Sequence, residues 1–393
     1  MKHNFDKVIN RKNTNSLKYD CAEKRGKPND LLPMWVADMD FACPKKVGDV
    51  LSNKAKHGIF GYSEPSNNYF NILSDWLGKR HGYTPKEEWL VHTPGIVFAI
   101  TIAIKAFTNE QDAVLIQKPV YYPFSSSVIN NNRKLINNPL ILNKKTNQYE
   151  IDFVDFENKI KDNKVKLFIL CSPHNPVGRV WEKDELRKMG EICKTHNCLV
   201  FSDEIHADFI YPEFKHTVFT NANDIFLENS IVAFSPSKTF NLAGLQFSDI
   251  FIADKELREK FKSEYGKSGY AQINTFGIVA AEAAYKYGEN WVDSLNAYLC
   301  QNVELIDFFI KTHIPKVKFI KPQGTYLAWL DFSKYNLSQI QLDDIITNKA
   351  KLWLSSGTVF GSEGNGFMRL NFACPKKVLL KALESLKEAF ANL

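Results

Sequence analysis

The chain has 393 residues, of which 44% are hydrophobic and 24% are charged, and its formal net charge is +6 at pH 7. These values are typical of a soluble globular protein with room for two domains. The lysines are scattered and form no basic tract interleaved with aromatic residues, which argues against a nucleic-acid partner.

The cysteines and the N-terminal residues give information about the cellular compartment of the protein. The seven cysteines are dispersed, with no CxxC pair and no metal-ligand spacing, as in reduced proteins without a bound metal. The first residues, Met-Lys-His-Asn-Phe-Asp, lack the apolar core of a signal peptide, and no run of about 20 apolar residues could span a bilayer. We therefore expect a cytoplasmic protein with no membrane partner.

Between about residues 90 and 290, short apolar runs alternate with longer amphipathic stretches. Such alternation predicts an α/β fold with a mainly parallel sheet between helices. Two of the predicted helices cover 182–196 and 257–265. The strand-like runs are 113–117, 167–171, 199–202, 231–234 and 250–253.

The remainder of the chain has a different pattern. After about residue 290, a long helical stretch precedes strand-like runs at 316–320 and 326–331 and a final helical stretch at 376–391, which predicts an α+β unit. We expect a large domain over 50–290 and a smaller one built from 1–49 and 291–393. The heptapeptide FACPKKV occurs twice, at 41–47 and 372–378, and is interpreted as an extended segment that enters a helix after proline rather than as a duplicated module.

Polar residues follow three of the predicted strands. Lys238 lies between strand 231–234 and a glycine-containing turn, Asp203 follows strand 199–202, and Asn175 follows strand 167–171. Parallel α/β sheets gather their ligands at these strand ends. Taken singly, a surface lysine, a helix-capping carboxylate and a turn asparagine would explain these residues equally well.

Other residues near these strand ends could also contact a ligand. Ser235 and Ser237 flank the lysine, Tyr121 follows the first predicted strand, and His206 stands three residues after the aspartate. A helix that begins near Gly95 offers free amide groups to a phosphate. Pyridoxal 5′-phosphate (PLP) needs a lysine for a Schiff base, a carboxylate at the pyridine nitrogen, phosphate donors and an aromatic face. The combination therefore predicts a PLP enzyme.

Longer motifs show which PLP enzymes the chain is similar to. It resembles the fold-type I PLP enzymes of the aminotransferase class I/II superfamily, and more closely the MalY/PatB-type cystathionine β-lyases, over nearly its whole length. That resemblance implies a seven-stranded, mainly parallel sheet in the large domain. The motifs are MWVADMDF at 34–41, GYSEP at 61–65, SPHNPVGR at 172–179, SDEIHAD at 202–208, SKTFNLAGLQ at 237–246, QGTYLAWLDF at 323–332 and RLNFACP at 369–375.

The resemblance also implies roles for individual residues. Lys238 would be the catalytic residue and carry the cofactor, and Arg369 would bind the substrate carboxylate beside Trp35, Ala37 and Asn175. Tyr62 would reach the phosphate of the neighbouring subunit, so a homodimer is expected. The cofactor-binding residues so implied are Val97, Phe98, Tyr121, Asn175, Asp203, His206, Ser235, Ser237, Lys238 and Tyr62.

The resemblance implies αβ-elimination of cystathionine or another cysteine S-conjugate, within sulfur amino acid metabolism and methionine biosynthesis. Gln246, where many aminotransferases carry an arginine, favours the lyase group. PLP-dependent transamination uses the same first steps and stays open. A regulatory role through protein contact ranks third, because no appended domain is visible.

Overall fold

A computed structural model describes residues 3–393, and its largest feature is a seven-stranded sheet with the order β2-β10-β9-β8-β7-β3-β4. A second sheet has the order β11-β12-β15-β14. The strands are β1 Leu32–Pro33, β2 Leu90–Thr93, β3 Ala113–Ile116, β4 Lys134–Asn137, β5 Ile141–Asn143, β6 Gln148–Glu150, β7 Leu167–Cys171, β8 Leu199–Asp203, β9 Ser230–Phe234, β10 Ser248–Phe251, β11 Lys318–Ile320, β12 Leu327–Asp331, β13 Leu352–Trp353, β14 Ser355–Ser356 and β15 Phe367–Asn371.

Helices cover both faces of the large sheet. They are α1 Lys45–His57, α2 Tyr69–His81, α3 Ile96–Phe107, α4 Tyr122–Ile129, α5 Phe153–Asn163, α6 Lys183–Thr195, α7 Pro236–Thr239, α8 Lys255–Lys267, α9 Thr275–Tyr287, α10 Glu289–His313, α11 Gln339–Asp344 and α12 Lys376–Phe390. The helices predicted at 182–196 and 257–265 correspond to α6 and α8. Across residues 3–393, no helix combines the length and apolar composition that a bilayer crossing needs.

The large sheet is buried on both faces. Along β3, Ala113 and Leu115 pack into one apolar cluster, whereas Val114 and Ile116 pack into another. Side chains alternate between the faces of a strand, so this alternation shows that both faces are covered. It also explains why the strands are continuous apolar runs.

The direction of the strands agrees with the prediction except at one position. The strands β4, β3, β7, β8 and β9 pair in parallel, while β10 runs antiparallel to both β9 and β2. The mainly parallel seven-stranded sheet is thus confirmed. The reversal of β10 has no signal in its residues, because they are all buried, like those of the parallel strands β7, β8 and β9.

The second sheet is antiparallel throughout. Its strand β15 places Arg369 opposite Trp329 of β12 and Ser355 of β14. The short strand β1 near the N-terminus pairs in parallel with β13. The N-terminal segment is therefore tied to the C-terminal part of the chain.

The repeated heptapeptide behaves as predicted. In both copies the proline is an extended residue directly before a helix: Pro44 precedes α1 and Pro375 precedes α12. Proline fits there because the first turn of a helix has amide groups without intrahelical partners. The two copies are similar helix entries at distant positions.

Candidate active site

A cleft opens where β7, β8 and β9 end, and residues that follow all three strands line it. Asn175, Asp203 and Lys238 face this cleft together with Arg369 from β15. Parallel pairing sets Asp203 beside Cys171 and Ala233 in the neighbouring strands, so the three strands finish at one level. The sheet therefore brings together the residues that the sequence places at separate strand ends.

Lys238 lies in α7, the short helix after β9. Its Nζ donates a hydrogen bond to the carbonyl oxygen of Ala37 at 2.8 Å. Burial lowers the pKa of Lys238 to about 8; the positive charge of Arg369 acts in the same direction, while Asp38 and Asp203 oppose it. A larger fraction of this amine is thus uncharged at neutral pH than for a surface lysine.

Asp203 is a buried carboxylate that accepts a hydrogen bond from the amide of Ile205 at 3.1 Å. Burial raises the pKa of Asp203 to about 7, although the Ile205 amide and the charge of Lys238 act in the opposite direction. A cation placed against this carboxylate would favour its ionised form. A protonated ring nitrogen meets that requirement.

Arg369 is a buried guanidinium held by neutral oxygens. Its Nη1 donates to Asn175 Oδ1 at 2.9 Å, and its Nη2 donates to the Trp35 carbonyl at 2.6 Å and to Ser355 Oγ at 3.3 Å. Its Nε is buried without a partner among the described residues. Burial lowers the pKa of Arg369 to about 10, although nearby tyrosines oppose the shift. A guanidinium without a carboxylate partner can bind one on a ligand.

Two more of the predicted residues, Tyr121 and His206, also line the cleft. The backbone amide of Tyr121 donates to the carbonyl of Asn175 at 3.0 Å, which fixes the tyrosine at the start of α4. His206 is buried in the cleft, and its Nδ1 has no partner within residues 3–393. Burial lowers the pKa of His206 to about 3, and the charges of Lys238 and Arg369 add to that effect. The ring is therefore neutral and can donate or accept one hydrogen bond toward a ligand.

The N-terminus of α3 supplies a possible anion site. Gly95 caps the helix, and its first turn contains no acidic residue. The first amide groups of a helix have no intrahelical partner, and the helix dipole favours negative charge there. Val97 lines the cleft, whereas the ring of Phe98 packs against Tyr265 at 5.5 Å, so only its backbone amide belongs to this turn.

The serine pair is divided between the cleft and the interior. Ser237 lines the cleft, whereas Ser235 lies behind it. The hydroxyl oxygens of the two serines are 2.5 Å apart, and Ser235 Oγ also donates to the Phe247 carbonyl at 2.7 Å. Ser235 thus orients Ser237, which is the serine presented to a ligand.

Of four further residues singled out from the sequence, two line the cleft and two do not. Trp35 and Ala37 line the cleft, and the Ala37 carbonyl is the acceptor for Lys238. Tyr62 is 93% exposed and does not line the cleft of its own chain. Gln246 is also exposed, with a left-handed backbone at φ 52°.

Sequence reasoning missed two contributors. The Tyr326 hydroxyl donates to the Ala37 carbonyl at 3.2 Å, and its ring packs 5.8 Å from that of His206. Ser355 donates to the Trp35 carbonyl at 2.8 Å and stands opposite Arg369 in the sheet. Tyr326 lies within a quoted family motif that could have singled it out. Ser355 had no such signal, because its place depends on the pairing of β14 with β15.

Several polar groups of the cleft lack partners, and together they indicate which kind of ligand would fit. The Asp203 carboxylate is buried without a nearby cation other than Lys238, the first turn of α3 contains no acidic residue, and His206 Nδ1 has no partner among the described residues. A molecule with a protonated ring nitrogen, a phosphate and an amine-reactive carbonyl would satisfy all of them. The residues present therefore fit PLP.

Comparisons with known proteins agree with this geometry. The profile of the aminotransferase class I and II family matches residues 31–386. The chain is 43% identical to cystathionine beta-lyase PatB of Bacillus subtilis over 388 residues, which cover 99% of this chain and 100% of that protein. It is 31% identical to protein MalY of Escherichia coli, with 98% of both chains covered. The crystal structure of cystalysin from Treponema denticola, which contains PLP, superposes with a TM-score of 0.95 at 34% identity and full coverage of both chains.

Proposed function

Because the chain belongs to the aminotransferase class I and II family, we propose that it is a PLP-dependent carbon–sulfur lyase that cleaves cystathionine or related cysteine S-conjugates. The products would be a thiol, pyruvate and ammonia. One observation carries this proposal: Lys238, Asp203 and Arg369 converge on one cleft of a chain that is 43% identical over its length to a cystathionine β-lyase. Similarity to MalY and cystalysin supports it.

PLP, when bound, supplies a carbonyl that links to an amine and a ring that accepts the electron pair released when the substrate loses its α-proton. We assign the covalent attachment to Lys238 and the ring nitrogen to Asp203. Asp203 would keep a proton on that nitrogen, because its buried carboxylate is stabilised by an adjacent positive charge. The phosphate would be held by the Val97 and Phe98 amides and by the Ser237 hydroxyl, which Ser235 orients.

Arg369 would bind the substrate α-carboxylate, with Asn175 and the walls Trp35 and Ala37 beside it. This contact orients the substrate so that its α-proton faces Lys238. Once the substrate amine has displaced it from its covalent attachment, the Lys238 amine, with its lowered pKa, can take that proton and then give one to the departing sulfur. Tyr121 and His206 would enclose the ring and its 3-oxygen side. The remaining three-carbon fragment takes up water and leaves as pyruvate and ammonia.

L-Cystathionine distinguishes elimination from transamination. We expect the PLP-loaded protein to release pyruvate and homocysteine from it without any added keto acid, because elimination needs no second substrate. The measurement is pyruvate and thiol formation with and without a keto acid, with Lys238→Ala as the control. A strict requirement for the keto acid would establish an aminotransferase instead.

The assembly and setting of the enzyme are further proposals. A homodimer in which Tyr62 contacts the cofactor phosphate of the neighbouring subunit is supported by its exposure and by that of Ile59 and Phe60 next to it, at 66% and 55%. Seven cysteines without a disulfide support a reducing compartment such as the cytoplasm. Homocysteine as a product would place the enzyme in sulfur amino acid metabolism, on the route to methionine.

The division into two domains is also proposed. Every strand of the seven-stranded sheet falls within 50–290, and every strand of the antiparallel β11-β12-β15-β14 sheet falls within 291–393. The pairing of β1 with β13 supports grouping the N-terminal segment with the second unit.

A further inference from the structure

A second cavity adjoins the active-site cleft and shares three of its walls. Trp35, Tyr122 and Ser355 line both. We call this cavity the outer corridor; its walls also include Arg25, Lys27, Lys118, Trp353, Leu354 and Met368. Arg369 hydrogen-bonds to Trp35 and Ser355 from the inner side. A substrate held at Arg369 can thus extend past these shared walls into the outer corridor.

Part of the lining of the outer corridor is apolar. The rings of Trp35 and Trp353 stack with centroids 4.5 Å apart and an interplanar angle of 11°. Leu354 and Met368 continue this surface. Such a wall suits the methylene groups of an extended side chain, since apolar area leaves water on binding.

Positively charged side chains also line the outer corridor. The Arg25 guanidinium lies over the Trp35 ring at 5.1 Å, Lys27 Nζ donates only to Thr347 Oγ1 at 3.4 Å, and Lys118 is half-buried. Within residues 3–393, none of these three cations forms an ion pair with a carboxylate. Asp343 is the one acidic residue among the walls, and its Oδ1 accepts a hydrogen bond from Gln339 at 2.9 Å. The charge of the outer corridor is therefore positive.

We propose that the outer corridor binds the leaving-thiol half of the substrate and selects cysteine S-conjugates whose thiol ends in an acidic group after a few methylene groups. This inference rests on the proposed lyase function, because it assigns a specificity to the same site. The apolar wall takes the methylene groups, and the unpaired cations take the terminal carboxylate. Arg25, Lys27 and Lys118 are specificity-determining residues in this account and take no part in the proton transfers.

Two conjugates of equal length test the selection: S-(3-carboxypropyl)-L-cysteine and its neutral amide, S-(3-carbamoylpropyl)-L-cysteine. Pyruvate release gives kcat/KM for each with the PLP-loaded enzyme. Each exposed or half-buried ion pair contributes roughly a two- to fivefold effect, so we expect the wild type to prefer the acid about 5- to 20-fold. The single variants Arg25→Gln, Lys27→Gln and Lys118→Gln should each reduce the ratio, and the triple variant should bring it to about 1. Lys24→Gln, a neighbouring exposed cation outside the outer corridor, should leave it unchanged.

A binding measurement separates this inference from the lyase proposal. Ligand-observed NMR titration compares 4-(methylthio)butanoate with its amide, neither of which can undergo elimination. If the acid binds more tightly than the amide and the triple variant loses this preference, the outer corridor is supported. That support holds even if neither conjugate releases pyruvate, because the absence of pyruvate would count only against the lyase function. Equal binding of acid and amide, together with equal kcat/KM values, overturns the inference and leaves the lyase function intact.

Discussion

Two buried charged regions lie on either side of α7, and they differ in how their charges are compensated. On one side, Asp208 accepts hydrogen bonds from Arg80 Nε at 2.9 Å, His81 Nε2 at 3.1 Å and Thr239 Oγ1 at 2.7 Å. On the other side, in the cleft, Asp203 accepts one backbone hydrogen bond from Ile205. Both carboxylates are buried, and only five positions separate them in the sequence.

The pKa values of the two carboxylates move in opposite directions. Burial alone would raise the pKa of Asp208, but the hydrogen bonds and charges of His81 and Arg80 outweigh it and lower the pKa to about 2. Burial raises the pKa of Asp203 to about 7 because its partners are too few. The paired region stabilises the fold and anchors α7 through Thr239. In the cleft, which is the unpaired region, the charged groups lack such partners, and groups whose pKa values are shifted in this way are common at functional sites.

The largest expected effect comes from removing the amine of the unpaired region. Lys238→Ala should lower turnover of L-cystathionine by a factor of about 10²–10⁴ or more, because we assign to this lysine the roles of both base and acid. The stability of the protein without cofactor should hardly fall, since the substitution removes a buried amine without a directly paired carboxylate. Pyruvate release and urea unfolding measure the two effects. Turnover close to that of the wild type would remove Lys238 from the mechanism.

The next prediction compares how substitutions of Asp208 and Asp203 change the stability of the protein without cofactor. Asp208→Asn should reduce the free energy of unfolding by about 3–5 kcal/mol at neutral pH, because it removes the buried carboxylate that accepts hydrogen bonds from Arg80, His81 and Thr239 and leaves Arg80 with only the exposed Asp293. Asp203→Asn should leave stability unchanged or raise it. Urea unfolding measures both, and circular dichroism confirms that the variants are folded. Equal destabilisation by the two variants would contradict the division into paired and unpaired regions.

The same pair predicts a dependence on pH. The folded-state pKa of Asp203 lies above its ordinary value, so this group costs stability progressively as the pH rises from about 4 to about 7. The folded-state pKa of Asp208 lies below its ordinary value, so its contribution is present above about pH 4 and is lost as the pH falls toward about 2. The stability of Asp203→Asn relative to the wild type should therefore rise between about pH 4 and pH 7. A difference that stays constant over this range would show that Asp203 does not titrate there.

The sequence predicted those parts of the fold and site that depend on local pattern. Continuous apolar runs located five of the seven strands of the large sheet, but not β2 and β4. The ends of these runs located Asp203, Asn175 and Lys238, because parallel strands finish at one edge. Arg369 was found only through the family motif, since nothing in its strand marks it as a site residue. The place of Ser355 and the antiparallel direction of β10 were missed, because both depend on pairing between distant segments. Ser235 lies behind Ser237 because its hydroxyl donates a hydrogen bond to the Phe247 carbonyl. The spacing of the two serines in the sequence does not predict this contact.

The most direct test of this account is the stabilisation that PLP gives to the wild type, Asp203→Asn and Asp208→Asn. Thermal unfolding of each protein is recorded with and without a saturating concentration of the cofactor, because a ligand that binds only the folded state raises the unfolding temperature. We expect the wild type and Asp208→Asn to gain similar increments although they start from different temperatures, and Asp203→Asn to gain clearly less. An increment for Asp203→Asn equal to that of the wild type would contradict the claim that the unpaired carboxylate is reserved for the cofactor.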